Sequence, residues 1–159
     1  MTLSGLEMFA IVLAAVAGGM ASYFISVQLG KGPILGSAVV VLCSGLLFPA
    51  LFGTLGTSIA LAATTASYAG MVSTVNCRSP LEMTGISALA GLLFLASESV
   101  YPGVGGRLGT IAAIACFSYI GYREVAAGLM ERGGEREARE ERERGATAAT
   151  AWINRGEAD

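Results

Sequence analysis

The chain has 159 residues, of which 53% are hydrophobic and 14% charged, and its formal net charge is −2 at pH 7. The charge is unevenly distributed, because residues 1–130 carry four cations and four anions whereas residues 131–159 carry six arginines and eight acids. No basic patch is present that would neutralise several phosphates, which argues against a nucleic-acid-binding protein.

The middle of the chain is almost free of charge. Between Lys31 and Arg78 lie 46 consecutive uncharged residues, a run that a soluble domain does not need because its surface must be wetted. One helix that crosses a bilayer takes about 20 apolar residues, so this run is long enough for two crossings and a turn. The sequence therefore predicts an all-α integral membrane protein whose first partner is the lipid bilayer.

Five apolar spans follow in chain order. Each is expected to be helical, because backbone amides within lipid must be hydrogen-bonded internally. Proline and glycine separate the spans, for instance at Pro33, Pro49 and Gly53, since both residues end or reorient helices. The spans run approximately over 8–30, 33–50, 54–75, 81–100 and 106–130, and a charged tail over 131–159 follows them.

The first span is expected to be a retained helix rather than a signal peptide. Its apolar stretch continues to Leu29 and no lysine or arginine precedes it, whereas a signal core takes roughly 7–15 residues after a basic region. With five crossings, Lys31, Arg78 and Arg123 fall on one side and Arg107 on the other. The positive-inside rule then places the N-terminus outside the cell membrane and the C-terminus in the cytoplasm.

A segment around the second break recurs 53 positions later. The segments 48–57 and 101–110 share Pro, Gly, Leu, Gly and Thr at matching positions, and an aromatic residue precedes each proline. This pattern predicts one N-terminal helix followed by two parallel copies of a helical hairpin, over about 33–75 and 86–128. Chance identity among abundant glycines and leucines is the alternative.

The second copy of this turn is the main candidate binding site. A glycine-rich loop leads there into a helix N-terminus with Arg107 in its first turn, and amides, helix dipole and guanidinium together favour an anion. A plain tight turn is the competing interpretation. The predicted binding residues are Glu98, Arg107, Gly105, Gly106, Gly109, Thr110 and Thr57.

Glu98 has two interpretations. A carboxylate near membrane depth is costly and typical of ion or proton handling. Alternatively, Glu98 forms an interfacial salt bridge with Arg107 across the turn.

Small and polar residues follow helical spacing in two spans. They are Ala14, Gly18, Ser22 and Ser26 in the first span, and Thr54, Thr57, Ser58, Thr65 and Tyr68 in the third. Such stripes favour close helix packing, and the alternative is the lining of a hydrated path.

The charged tail resembles a solvated helix or a disordered arm. Glu135–Arg139 and Glu140–Arg144 have the favourable i, i+4 order, but no apolar stripe accompanies them. The short apolar patch near Trp152 is compatible with contact to a cytoplasmic partner or to lipid headgroups, and the alternative is a tail without a partner.

Two functions are compatible with these features. The first is a transporter- or channel-like component for a small solute or ion that acts as a homo-oligomer. The alternative is a structural or assembly subunit of a larger membrane complex. An enzyme is not expected, because the chain has no histidine and no paired carboxylates or nucleophile–base pair. No cofactor or metal is predicted, since Cys43, Cys77 and Cys116 form no C-x-x-C pair.

Overall fold

The computed structural model describes residues 4–72, 76–77, 79–97, 100 and 106–156. Within this part of the chain, four α-helices and one π-helical turn are present. The all-α prediction is confirmed. The helices are α1 (Gly5–Tyr23), continued by the π-helical turn Phe24–Gln28, then α2 (Pro33–Ala69), α3 (Pro80–Ala96) and α4 (Arg107–Gly156).

Local sequence signals explain where the helices begin. Ser4 and Glu7 form a capping box at the start of α1, with the Ser4 amide donating to the Glu7 carboxylate over 2.7 Å. Pro33 and Pro80 open α2 and α3, where the missing amide hydrogen costs nothing. Ser79 caps α3 by accepting a hydrogen bond from the Glu82 amide at 3.2 Å.

Helix α2 folds back on itself at Gly53. This glycine has φ 57° and ψ −127°, a non-helical conformation inside the assigned helix. The Ser37 and Ser67 hydroxyls lie 3.0 Å apart although 30 positions separate them, and a straight helix would hold them about 45 Å apart. Helix α2 therefore consists of two antiparallel limbs, 33–52 and 54–69.

Two clusters of buried apolar residues form the core of the packed helices. Each cluster is built from several helices of the bundle. The first contains Ile11, Ala15, Ile59, Ala62, Ala66, Ala90, Phe94, Ile111 and Ala115. The second contains Tyr23, Ala69, Cys77, Met83, Ile86 and Ala112.

The chain divides into two compact units, Met1–Ile120 and Gly121–Asp159. The predicted boundary at residue 130 lies within the second unit, inside α4. In that unit Arg123 and Glu124 form an ion pair at 2.9 Å. Helix α4 continues through residues 131–156.

Several helices begin or end at residues that differ from the predicted ends of the apolar spans. The first helix begins at Gly5, because the Ser4 capping box precedes the apolar run. The third span was predicted to reach residue 75, but α2 ends at Ala69 and a turn at Gly70–Met71 follows. The fourth span ends at Ala96 rather than 100, because Ser97 already leaves the helical region with φ −101° and ψ 6°.

Two helices are long and apolar enough to cross a membrane, judged by length and composition. They are Gly5–Gln28, with a mean hydropathy of 2.0 over its most apolar window, and Pro33–Ala69, with 2.3. Helix α3 is apolar but shorter, at 17 residues.

Candidate functional site

Gly53 and Gly106 each lie just before a helical segment and share a positive φ. Both have positive φ values, 57° and 88°, which an L side chain rarely adopts and glycine accepts freely. Thr57 donates its hydroxyl to the Gly53 carbonyl at 3.4 Å, and Thr110 donates to the Gly106 carbonyl at 3.1 Å. The predicted residues Thr57 and Thr110 therefore close the first turn of a helical segment, and both are exposed.

The two turns differ in how tightly their glycines are packed. A Cβ atom added to Gly56 would collide with the carbonyl oxygen of Phe48 on the opposite limb. A Cβ atom on Gly109, the matching position of the second turn, would meet nothing within 4 Å. Close backbone approach is thus needed at Gly56, and Gly109 is not required by packing within the described residues.

Arg107 connects the end of α3 to the start of α4. Its Nη2 atom donates to the Ser97 carbonyl oxygen at 2.6 Å. Its guanidinium carbon lies 5.6 Å from the centre of the Phe94 ring, within the range of a cation–π contact. Because Ser97 is the C-cap of α3, the arginine supplies both a hydrogen bond and a positive charge to the negative end of that helix.

One polar atom of Arg107 has no hydrogen-bond partner among the described residues. The Nε atom is buried and forms no hydrogen bond to any part of the chain that the structure describes. Burying an unpaired donor costs roughly 1–3 kcal/mol, more when the group is charged. Glu98, the predicted ion-pair partner, and Gly105 lie outside the described residues, so the predicted anion site is represented by Arg107, Gly106, Gly109 and Thr110.

A network of buried hydroxyls joins α1 to both limbs of α2. Ser22 donates to the Ser67 carbonyl at 3.0 Å, and Ser67 donates to the Thr64 carbonyl at 2.8 Å. A hydroxyl has a single proton, so Ser37 must donate in its 3.0 Å contact with Ser67. Ser22, Ser37 and Ser67 are at most 3% exposed, and the network thus lies in the interior of the helix bundle.

Glycines of α1 and α2 bring these two helices into direct contact. A Cβ atom on Gly18 would lie 2.6 Å from the Ala63 carbonyl oxygen, and one on Gly36 would lie 2.7 Å from the Ser22 carbonyl oxygen. Ser26 is also at this contact and donates to the Ser22 carbonyl at 2.6 Å. The predicted packing role of Gly18, Ser22 and Ser26 is confirmed.

Ser87 on α3 is the exception to hydroxyl pairing. It is 0% exposed, and its Oγ atom has no hydrogen-bond partner among the described residues. A Cβ atom added to Gly19 of α1 would collide with this hydroxyl, and it would lie 3.1 Å from the Ala66 carbonyl oxygen. An unpaired hydroxyl is therefore held where α1, α2 and α3 meet.

Some of these residues were not predicted from the sequence. Ser37, Ser67 and Ser87 lack a distinctive local pattern, because serine is common in apolar helices and their contacts join distant segments. Phe94 was also missed, since it lies 13 positions before Arg107 and meets it only after the chain reverses. Cys77 is 0% exposed because it packs in the second apolar cluster.

Comparison with family models, with curated proteins and with solved structures found no significant match to this chain.

Proposed function

We propose that the chain is a multi-pass membrane protein with five crossings. These would be α1, the two limbs of α2, α3, and the part of α4 that begins at Arg107. The limb 33–52 would rise about 30 Å and the limb 54–69 about 24 Å, close to the hydrocarbon thickness. The reversal at Gly53 supports this count, because it divides one long apolar helix into two antiparallel limbs.

The outward-facing side chains fit a lipid environment. Large apolar side chains on the first limb of α2 are strongly exposed, including Leu42 at 63%, Leu46 at 65% and Leu51 at 66%. In water such a continuous apolar surface would favour aggregation. In a bilayer the same surface contacts the acyl chains of the lipids.

The orientation that the cations favour has the N-terminus outside and the C-terminus in the cytoplasm. The Lys31 loop lies between α1 and α2, whereas Gly53 and Arg107 belong to turns at the other end of the helices. Phe48, Leu55 and Leu108 support this arrangement, because these residues from the two turns pack against the same apolar cluster. The positive-inside rule then assigns Lys31 to the cytoplasmic side.

For its activity, we propose transport of a small solute or ion by a homo-oligomer. The observation that carries this proposal is the Ser87 hydroxyl, which is fully buried and unpaired within the described residues. An apolar side chain would fill such a place at lower cost, whereas a polar passenger would supply the missing partner. The hydroxyls of Ser22, Ser37 and Ser67 lie in the same bundle, and because their protons are donated within the chain, their oxygens would serve such a passenger only as acceptors.

Flux measurements test this activity. The full chain is reconstituted in liposomes, and fluxes of Na⁺, K⁺, Cl⁻ and glycerol are followed separately. Ser87→Ala, Arg107→Ala and Glu98→Gln should each reduce at least one of these fluxes tenfold or more. Ser118→Ala is the matched control, because Ser118 is exposed on α4. Unchanged flux in all three variants would contradict these residues as the transport site.

A structural subunit of a larger membrane complex is the second proposal. It is supported by the dense contacts of Gly18 with Ala63 and of Gly56 with Phe48, which are typical of helices selected for tight association in lipid. Purification in mild detergent separates the two functions. Stoichiometric co-purifying subunits support assembly, and a stable homo-oligomer without them supports transport.

We also propose that the two turns are copies of one ancestral hairpin. The matching hydrogen bonds of Thr57 and Thr110 support this, as do the positive φ values of the two glycines that accept them. Further upstream, Ser44 donates to the Val41 carbonyl at 3.3 Å, whereas the Ser97 hydroxyl lies 2.8 Å from the Leu93 carbonyl oxygen and 3.2 Å from that of Phe94. These serines are again 53 positions apart.

A further inference from the structure

An open groove lies at the start of α2 and is lined by residues of the preceding loop and of the first helical turns. Its volume is about 470 Å³, within the size range of ligand-binding clefts in proteins. Its lining is almost entirely apolar and includes a single charged side chain. The lining residues are Lys31, Gly32, Pro33, Ile34, Leu35 and Ala38.

The charge at this groove is positive. Lys31 is exposed, and it forms no ion pair with any acidic side chain in the described ranges. Helix α2 begins directly after it, with Gly32 as N-cap and Pro33 in the first turn. Because proline has no amide hydrogen, the first amides of α2 belong to Ile34 and Leu35, and these add the positive end of the helix dipole.

From this combination we infer that the groove binds an anionic phospholipid. The phosphate would lie against Lys31 and the first amides of α2, and an acyl chain would lie along Ile34, Leu35 and Ala38. This inference rests on the proposed membrane insertion, which places the Lys31 loop at the interface between headgroups and hydrocarbon. A soluble anion would use the charge but not the apolar floor, whereas a phospholipid matches both.

The headgroup contact is tested by titrating the detergent-solubilised full chain with lipid in native mass spectrometry. Phosphatidylglycerol and phosphatidylcholine with identical acyl chains are compared. Lys31→Gln should weaken phosphatidylglycerol binding about fivefold, as expected for one interfacial lysine, and leave phosphatidylcholine binding unchanged. Arg132→Gln removes an equal charge from an exposed position outside the groove and should have no effect.

The acyl-chain contact is tested by filling the groove. Leu35→Trp should reduce binding of both lipids, since the larger side chain occupies the apolar floor. Leu42→Trp is the matched control, because Leu42 is exposed on the same limb but does not line the groove. The control should bind both lipids as the unmodified chain does.

Two outcomes overturn the inference while leaving membrane insertion intact. One is equal phosphatidylglycerol binding by Lys31→Gln and the unmodified chain. The other is an equal loss in Arg132→Gln, which would indicate general surface charge. A chain that fails to float with phosphatidylglycerol vesicles would instead overturn the membrane proposal, and the lipid site with it.

Discussion

The side chains of Ser37 and Ser67 form a buried hydrogen bond, with 3.0 Å between their Oγ atoms. They belong to opposite limbs of α2, so this contact exists only because the chain reverses at Gly53. The Ser67 hydroxyl donates a hydrogen bond to the Thr64 carbonyl, and the Ser67 carbonyl accepts one from the Ser22 hydroxyl. One serine thus links three helical segments.

We expect this link to stabilise the bundle measurably. Ser37→Ala and Ser67→Ala should each lower the free energy of unfolding by about 1 kcal/mol, with a coupling of about 0.6 kcal/mol in a double-mutant cycle. Unfolding in mixed micelles with increasing SDS, followed by far-UV circular dichroism, measures these values. Additive effects of the two substitutions would contradict a direct bond.

The close approach at Gly56 makes a second prediction. Gly56→Ala should lower the free energy of unfolding by about 1–3 kcal/mol, because the new methyl group meets the backbone of Phe48, which has no freedom to rotate away. Gly109→Ala is the control at the matching position, where the space is open. There the better helix propensity of alanine should leave stability unchanged or raise it by up to about 1 kcal/mol. Equal destabilisation by both substitutions would refute the packing argument.

Ser87 should behave in the opposite way to the paired serines. Ser87→Ala removes a buried hydroxyl that has no partner within the described residues, so stability should rise by about 1 kcal/mol. The same SDS titration measures this change. A loss of more than about 1 kcal/mol would mean that the hydroxyl is paired, and the main support for the transport proposal would be gone.

The contribution of Arg107 to stability should depend on the planar shape of its guanidinium group as well as on its charge. Arg107→Lys keeps the charge but loses the planar group that lies over Phe94 and reaches the Ser97 carbonyl. We expect it to be intermediate in stability between the unmodified chain and Arg107→Ala, which should lose about 1–2 kcal/mol. Phe94→Leu provides the reciprocal test, because it should reduce the difference between arginine and lysine at position 107. An undiminished difference would exclude the cation–π contact.

Membrane orientation is testable with introduced cysteines. Cys77 is a poor reporter because it is buried, so the native cysteines are first replaced by serine or alanine. Lys31→Cys should then react with an impermeant maleimide only from the cytoplasmic side, and Thr54→Cys only from the outside. Both positions are exposed. Labelling of the two positions from the same side would contradict the proposed crossings.

The class of structure and several helix ends follow from local sequence. Pro33 and Pro80 begin helices because an absent amide hydrogen is harmless there. Gly53 was expected to break the apolar run, and its positive φ shows why glycine is needed. The packing role of Gly18, Ser22 and Ser26 was also predictable, because small residues at every fourth position form one helix face.

The end of the third span was not predictable in the same way. Residues after Ala69 are still apolar, so composition continued the helix to about residue 75. Gly70 instead lies against α1, where a Cβ atom would be 2.8 Å from the Gly19 carbonyl oxygen. The hydropathy of a segment does not predict its contacts with distant parts of the chain.

By itself, the sequence determined that the described chain is helical, that its middle is apolar and where several of its helices begin, because backbone hydrogen bonding, proline and glycine act within a few residues. Only the tertiary structure decided which hydroxyls are paired, that Ser87 has no partner in the described region, and that Arg107 meets Phe94 and Ser97. These contacts join residues from different helical segments or across an interhelical turn, and their geometry depends on how closely glycines let the backbones approach. The local sequence pattern does not reveal the distance between the backbones of two packed helices.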